Sequence, residues 1–384
     1  MEQVLVLAAV RTPVGRRGGA LAGLHPASLL GHVQRGVLAS AGLEPSAVGQ
    51  VIGGCVTQVG EQSYNITRTA WLAAGLPEQV AACTVDAQCG SSQQALTLAA
   101  GLIGAGVVDI AIACGAESMS RVPIGANFRK DLGLGRPVPP EYFSRYEFIN
   151  QFQAAERIAV KWGVSRGDAD ALGLESQQRA ARAWAQDRFA GQVLPVPVTG
   201  EDGDGVVSQD GGLRQTSLEA LAQLNAVIPD GIHTAGTSSQ ISDGASAVLL
   251  ASERRAAELG ITPLARVVDT CLIGVDPVMM LTGPHAATPL LLERNNLSIS
   301  DIDTVEINEA FASVVLSWAQ ETGADMARVN PNGGAIALGH PLGATGCVLI
   351  TKAVHELARS GGHYGLVTMC CGGGLGTATL LERA

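Results

Sequence analysis

The chain has 384 residues, of which 47% are hydrophobic and only 16% charged, and it carries a formal net charge of −10 at neutral pH. That acidity argues against nucleic acid or an anionic membrane as partner, and an aromatic content of 4% leaves little to stack on bases. So few charges on so long a chain call for a low ratio of surface to volume: a large compact body of two or three core-bearing units, with surface lost in a homodimer or homotetramer.

The N-terminus, Met1-Glu2-Gln3-Val4-Leu5, sets an acid where a signal peptide needs basic residues. No run reaches the roughly 18 uninterrupted apolar residues of a membrane span, so a cytoplasmic protein without membrane insertion is expected. The eight cysteines (Cys55, Cys83, Cys89, Cys114, Cys271, Cys347, Cys370 and Cys371) show no C-x-x-C spacing. Neither a zinc site nor a disulfide framework is expected, which leaves the question of which thiols are chemical and which are packing.

Gln3 to Val10 reads as a buried strand stopped by Arg11-Thr12-Pro13, followed by a helix from about Pro26 to Ala41. Leu43, Val48 and Val51 lead into a second strand, Val51-Ile52-Gly53-Gly54-Cys55. A helix with Ile66, Ala70 and Leu72 on its apolar side comes next, then a strand from Ala82 to Val85. Val85-Asp86-Ala87-Gln88-Cys89-Gly90-Ser91 then sets a cysteine between a strand and a small, apolar helix running from Ser91 to Gly106. At such a helix start the free N–H groups favour thiolate, and with a cationic or histidine partner a thiol drops from about 8.5 to roughly 3.5–7.5. On this stretch alone Cys89 is equally readable as a small buried hydrophobe. Val107 to Cys114 is a further strand, closing in the turn Gly115-Ala116-Glu117-Ser118-Met119. Apolar strands alternating with helices predict parallel pairing buried on both faces.

Residues 118 to 242 break this grammar. The basic pair Arg129-Lys130, Pro137, Pro139 and Pro140, and the loop Gly200-Glu201-Asp202-Gly203-Asp204-Gly205 mark an inserted, polar-surfaced excursion. Within it Ser165-Arg166-Gly167-Asp168 resembles a capping box opening a helix to about Phe189. The first half's last strand is then supplied late, by Ala245 to Ala251. After residue 261 the grammar returns. Leu297, Ile302 and Val305 repeat the spacing of Leu43, Val48 and Val51. Arg328-Val329-Asn330 leads through a glycine-rich loop to a helix from Gly343 to Leu357, and Gly365 to Gly372 answers Asp109 to Gly115. Two similar α/β halves fit this better than one continuous sheet.

The second half sets three polar groups in or beside glycine-rich loops: Asn308 in N-E-A-F-A, His340 in G-G-A-I-A-L-G-H-P-L-G, and Cys370 in C-C-G-G-G-L-G. If a pseudo-twofold relates the halves, these loops meet Cys89. His340 suits the task of taking a proton from a cysteine nucleophile, while its motif alone fits a structural histidine as well. A second cysteine can move a proton to or from carbon, and the N–H groups of Cys89 and Gly372 can form an oxyanion hole.

Together these residues resemble the thiolase family over nearly the whole chain. Q-C-G-S around Cys89, E-S-M-S at 117–120, T-A-G-T-S-S at 234–239, N-E-A-F-A at 308–312, G-G-A-I-A-L-G-H-P at 333–341 and C-x-G-G-G at 370–374 stand in the family's order and spacing. The resemblance implies an α/β thiolase-like fold, with two pseudo-twofold-related βαβαβ halves in a five-layered α-β-α-β-α body. Its parts would be residues 1–117 plus 243–260, an inserted loop domain at 118–242, and residues 261–384. It implies a 3-ketoacyl-CoA thiolase in which Cys89 carries the acyl group and His340 activates it and helps hold the thioester oxygen. Asn308 would orient a water in one oxyanion hole, Cys370 act as acid and base, and Cys371 only pack. Arg214 becomes a candidate for the CoA phosphates and Ser239 for the pantetheine arm, with Ala310 and Phe311 lining the tunnel; Arg214 is otherwise a solvated charge and Ser239 a helix cap. Coenzyme A enters as substrate, and no metal or redox cofactor is expected.

A biosynthetic acetoacetyl-CoA thiolase and a non-catalytic acyl-CoA- or lipid-binding homologue are the alternatives; the latter would be expected to lack Cys89, His340 or Cys370. A decarboxylating ketosynthase would carry histidine at the Asn308 position and no Cys370. Asn150 to Glu156, where short-chain biosynthetic thiolases carry His-Met and small residues, and the stretch 51–63 look most like degradative thiolases that shorten sterol-derived CoA esters. Asn150, Gln151 and Phe152 are accordingly expected in the acyl-pocket wall.

Overall fold

A computed structural model describes residues 2–128, 131, 133, 135–200 and 203–384. Arg129-Lys130 and Glu201-Asp202 lie outside the described residues. The first half comprises β1 (Val4–Arg11), β2 (Gly15–Arg16), α1 (Pro26–Ala41), β3 (Gln50–Gly54), α2 (Ile66–Ala73), β4 (Ala81–Val85), α3 (Ser91–Gly104) and β5 (Ile110–Ser118). The excursion carries α4 (Pro140–Phe143), α5 (Gln151–Trp162), α6 (Arg166–Ala185), the hairpin β6 (Val196–Gly200) and β7 (Gly203–Val207), and α7 (Leu218–Ala222). The chain then returns through β8 (Ser242–Ser252) and α8 (Glu253–Leu259). The second half comprises β9 (Ala265–Gly274), α9 (Gly283–Arg294), β10 (Thr304–Ile307), α10 (Ala312–Thr322), α11 (Ala335–Leu338), α12 (Thr345–Ser360), β11 (Tyr364–Cys371) and β12 (Leu375–Arg383).

Local chemistry sets the helix ends. Pro26 starts α1 where a missing N–H is harmless, and Gly42 closes it with φ 62°. Ser165 and Asp168 form a reciprocal capping box on α6, which ends at Ala185, one turn short of Phe189.

The strands run in the order β10-β11-β12-β9-β1-β8-β5-β3-β4. Each half repeats one plan. β1, β8 and β5 pair antiparallel while β5, β3 and β4 pair parallel; β9, β12 and β11 pair antiparallel while β11 and β10 pair parallel, with Val329 bridging parallel to Val305 where β4 would lie. The expected all-parallel pairing is therefore confined to the outer strands of each half, because the late strands β8 and β12 enter by reversals. The halves are also not separate sheets: Val4, Leu5 and Val6 of β1 pair with Val267, Arg266 and Ala265 of β9, making one hydrogen-bonded path.

Three hydrophobic cores alternate with the two sheet halves and give the five layers. Leu30, Val33 and Trp71 of α1 and α2 pack under the first half; Leu96, Ile103, Ile350 and Val354 of α3 and α12 fill the middle; Leu291, Val315 and Trp318 of α9 and α10 cover the second half. The two central helices touch closely: a Cβ at Gly346 would come within 2.3 Å of the Gln93 backbone nitrogen, and Ser92 Oγ accepts the Cys347 N–H at 3.0 Å. Two details differ from the sequence reading. Leu72 is exposed, since α2 buries Ile66, Thr67, Ala70 and Trp71 instead. β5 begins at Ile110, leaving Val107 exposed, and runs through Gly115 to Ser118 because β8 pairs with it all the way to Ser118.

Candidate active site

The loops at the ends of β4, β5, β10 and β11 converge over the starts of α3 and α12. The β4 turn is tied tightly: Gln88 N–H donates to Asp86 Oδ1 at 2.7 Å, Ser91 Oγ donates to the Gln88 carbonyl at 2.5 Å, and Ala87 N–H donates to Ser91 Oγ at 3.0 Å. Gln88 is held at φ 53°, a left-handed conformation that costs a side-chain-bearing residue about 1 kcal/mol. Cys89 follows it, just ahead of α3. Gly90 is needed because a Cβ there would lie 2.7 Å from both Cys371 Sγ and Thr377 Cγ2.

The expected thiolate is not the resting form. Burial pushes the Cys89 thiol up to about 11, and the charges of Glu117 and Asp86 add to the rise. The backbone N–H groups of Gly372 and of Cys89 itself pull the other way without prevailing. Those are the two donors that the sequence reading placed in an oxyanion hole, and the fold brings both to Cys89 Sγ.

His340 is buried on the opposing loop, with its backbone N–H donated to Ser242 Oγ at 3.0 Å. Its Nδ1 lies 2.6 Å from Thr345 Oγ1 and its Nε2 3.4 Å from Asn308 Nδ2. Burial holds its pKa down at about 4, so the ring is neutral at pH 7. Asn308 follows β10, and its buried Oδ1 has no hydrogen-bond partner among the described residues. Leu342, two residues beyond His340, packs with Met119 and Val56 against Cys89, which places both loops over one site.

The adjacent thiols of β11 face different surroundings. Cys370 joins an apolar cluster with Ile149, Ala310, Phe311 and Leu281, with Phe152 and Met280 packed against it. Cys371 belongs to the core between the sheets, against Gly90. Burial pushes both thiols well up, and the nearby Cys89 adds to both rises.

The candidate CoA residues form a connected run. Arg214 is exposed, and its guanidinium donates to the Ala235 carbonyl at 3.1 Å, in the loop that carries Ser239. Ser239 N–H donates to the Ala310 carbonyl at 2.9 Å, and Ser238 bridges Phe311. Two expectations about the acyl wall fail. Asn150 and Gln151 are exposed, and the Asn150 side chain is spent as the N-cap of α5, accepting the Gln153 N–H at 3.0 Å. Phe152 alone of that trio turns inward, edge-on to Phe311 with ring centroids 4.9 Å apart.

Several supporting residues escaped the sequence reading. Glu117 accepts N–H groups from Val56, Thr57 and Gly343 at 2.9 to 3.0 Å and from Gln62 Nε2 at 2.8 Å, knitting the Cys89 side to the His340 side. Glu309 accepts from Ser176 Oγ, the Ile336 N–H and Asn330 Nδ2, tying the Asn308 loop to the His340 loop and to α6. A lone acid within a small, apolar motif is the signal that both offered. Thr345 offered none, being one of several small residues at a helix start.

The family model described as thiolase, N-terminal domain, matches residues 4–254, and that described as thiolase, C-terminal domain, matches residues 261–383. Steroid 3-ketoacyl-CoA thiolase FadA6 of Mycobacterium tuberculosis is 48% identical over 389 residues, covering 100% of this chain and 95% of that protein. A beta-ketoadipyl-CoA thiolase of Pseudomonas putida is 41% identical over 399 residues, covering 100% of both. The crystal structure of human mitochondrial 3-ketoacyl-CoA thiolase superposes with a TM-score of 0.91 at 35% identity, covering 100% of this chain and 99% of that one.

Proposed function

The chain belongs to the thiolase family of acyltransferases, and on that premise we propose that it cleaves a bulky 3-ketoacyl-CoA with coenzyme A, giving acetyl-CoA and a shortened acyl-CoA. The observation that carries the substrate reading is the apolar cluster of Ile149, Phe152, Phe311, Leu281 and Met280 gathered around Cys370. An acyl group seated there meets hydrocarbon and aromatic rings. The FadA6 relative, named for a steroid substrate, points the same way.

The chemistry follows from the neutral pair. Cys89 Sγ attacks the 3-keto carbon while its proton passes to His340 Nε2, and the oxyanion is met by the N–H groups of Cys89 and Gly372. The bond between C2 and C3 then breaks. The oxygen of the departing acetyl-CoA enolate is held by the protonated Nε2 and by a water that Asn308 Oδ1, with its free valence, is suited to orient. Cys370 gives its proton to C2, completing acetyl-CoA. Coenzyme A then attacks the acylated Cys89, its thiol proton going to the Cys370 thiolate; collapse releases the shortened acyl-CoA, and the proton on His340 returns to Cys89. Both thiols start and end protonated, in keeping with their raised pKa values. Arg214 would meet the CoA phosphates and Ser239 the pantetheine arm beside Ala310 and Phe311.

Oligomerisation and a cytoplasmic location belong to the same reading. β4 ends the sheet, and Tyr64 and Leu72 beside it are 93% and 44% exposed, apolar surface suited to a second copy; sedimentation at micromolar protein tests for a dimer or tetramer. No described helix is long and apolar enough to cross a membrane. The deciding measurement for the substrate is kcat/KM at equal CoA for acetoacetyl-CoA, a medium linear 3-ketoacyl-CoA, 3-ketoadipyl-CoA and a steroid-side-chain 3-ketoacyl-CoA. The steroid-derived ester should win; preference for acetoacetyl-CoA or ketoadipyl-CoA overturns the bulky-substrate reading and leaves the thiolase reading standing.

A further inference from the structure

The hydrogen bonding of His340 reaches past the residues that touch substrate. Its Nδ1 meets Thr345 Oγ1 at 2.6 Å, the first residue of α12, buried and five positions along the chain. A threonine hydroxyl has one proton, and here it is donated to the Pro341 carbonyl at 2.8 Å. With that proton on the carbonyl, Oγ1 is left to accept, and Nδ1 is the nitrogen that donates to it. The other edge of the ring agrees: Asn308 Nδ2, a donor, faces Nε2, which fits a lone pair there. With the ring neutral, one proton has to be placed on one of two nitrogens, and which nitrogen holds it is set by the partner of the other.

We infer that Thr345 is a positioning residue whose hydroxyl holds His340 as the Nδ1–H tautomer, keeping Nε2 as the atom that takes the proton of Cys89. The inference rests on the thiolase reading for that direction of proton transfer. Without the hydroxyl, Nδ1–H loses its buried acceptor, and the tautomer with hydrogen on Nε2, which is unable to receive the thiol proton, becomes competitive. The loop itself does not depend on the hydroxyl, because the Pro341 carbonyl also accepts the N–H groups of Ala344 and Thr345 at 3.0 Å. Thr345→Val keeps the shape and those bonds, and Thr345→Ser keeps the hydroxyl.

The test compares the rate of Cys89 alkylation by iodoacetamide, which needs no acyl-CoA, with kcat and with KM for CoA in the full-length wild type and both variants. Thr345→Val should slow alkylation and kcat by about tenfold or more with KM for CoA moved less than about twofold, and Thr345→Ser should restore both rates to within about threefold of wild type. Nitrogen-15 spectra of the histidine-labelled wild type, with His340 assigned by its loss in His340→Gln, should show Nδ1 protonated and Nε2 bare at neutral pH. The inference is overturned if Thr345→Val alkylates at the wild-type rate, if Thr345→Ser is as slow as Thr345→Val, or if the resting ring carries its proton on Nε2. Should the wild type alkylate at Cys89 yet turn over no 3-ketoacyl-CoA, the thiolase reading fails while the alkylation rates still decide the role of Thr345.

Discussion

In the first half, the strand ends of β3, β4 and β5 deliver Cys55, Cys89 and Glu117; in the second, the equivalent ends of β10, the Val329 bridge and β11 lead to Asn308, His340 and the Cys370–Gly372 run. Cys89 and His340 thus stand in matching places, each just ahead of a central helix. Their neighbours are treated differently. Cys55 is packed in the first half's core, and Glu117 is satisfied by four donors, whereas Asn308 keeps a buried oxygen without a partner among the described residues and Cys370 packs in the apolar cluster with Phe311. On the proposed reading, a shared backbone plan has become frame plus nucleophile on one side and proton-handling groups on the other. The distinguishing mark is whether the buried polar valences are filled.

The largest effect expected from breaking this division is at Cys89. Cys89→Ala should lower thiolysis by roughly four orders of magnitude or more, since no other thiol is placed to carry the acyl group. Peptide mapping after limiting iodoacetamide should find the wild-type label on Cys89, and label on Cys370 or Cys371 in its place would reverse the assignment. Cys370→Ala comes next. Turnover should fall by about a thousandfold while acetyl-CoA still acylates Cys89, visible as an intact-mass increase, because acylation needs only the nucleophile and its base. Absence of that mass increase would merge two roles kept separate here.

Acid stability reports on the buried histidines. His340 and His285 are both held down at about 4 by burial, while in the unfolded chain each titrates near 6.5. Between those values the unfolded chain binds more protons, so stability is complete above about pH 6.5 and is lost as the pH falls towards 4. Each shift corresponds to roughly 3 kcal/mol. Urea midpoints measured at pH 7 and 4.5 should diverge accordingly, and His285→Gln, whose ring meets Ser317 and Trp162 away from the thiols, should remove part of the slope, the rest staying with His340 and with His32, His233 and His355, whose pKa values burial also lowers. An unchanged slope would show that the ring is already solvated. The smallest effect is expected at Cys371→Ala: less than about threefold in kcat, with a stability loss of about 1 kcal/mol for the vacated core volume. A dead Cys371→Ala enzyme would mean that the two adjacent thiols had been exchanged.

The sequence by itself determined the alternation of strands and helices, the repeat, and the residues gathered at the site, because these are written as apolar periodicity, glycine punctuation and local motifs. The helix starts at Pro26 and Ser165 were legible for the same reason: each is settled by groups within a turn of one another. What only the tertiary structure decided depends on distant neighbours. Cys89 reads as a thiolate when only its helix start is in view, yet burial in the folded body, joined by the charges of Glu117 and Asp86, raises its pKa and keeps it protonated. Asn150 was read into the pocket because its segment stands where related thiolases carry His-Met and small residues, but the start of α5 turned it outward as a cap. The short pairing of β1 with β9 had no local signature at all, since it depends on which surfaces meet once both halves have folded, and desolvation and hydrogen-bond saturation are properties of the finished packing.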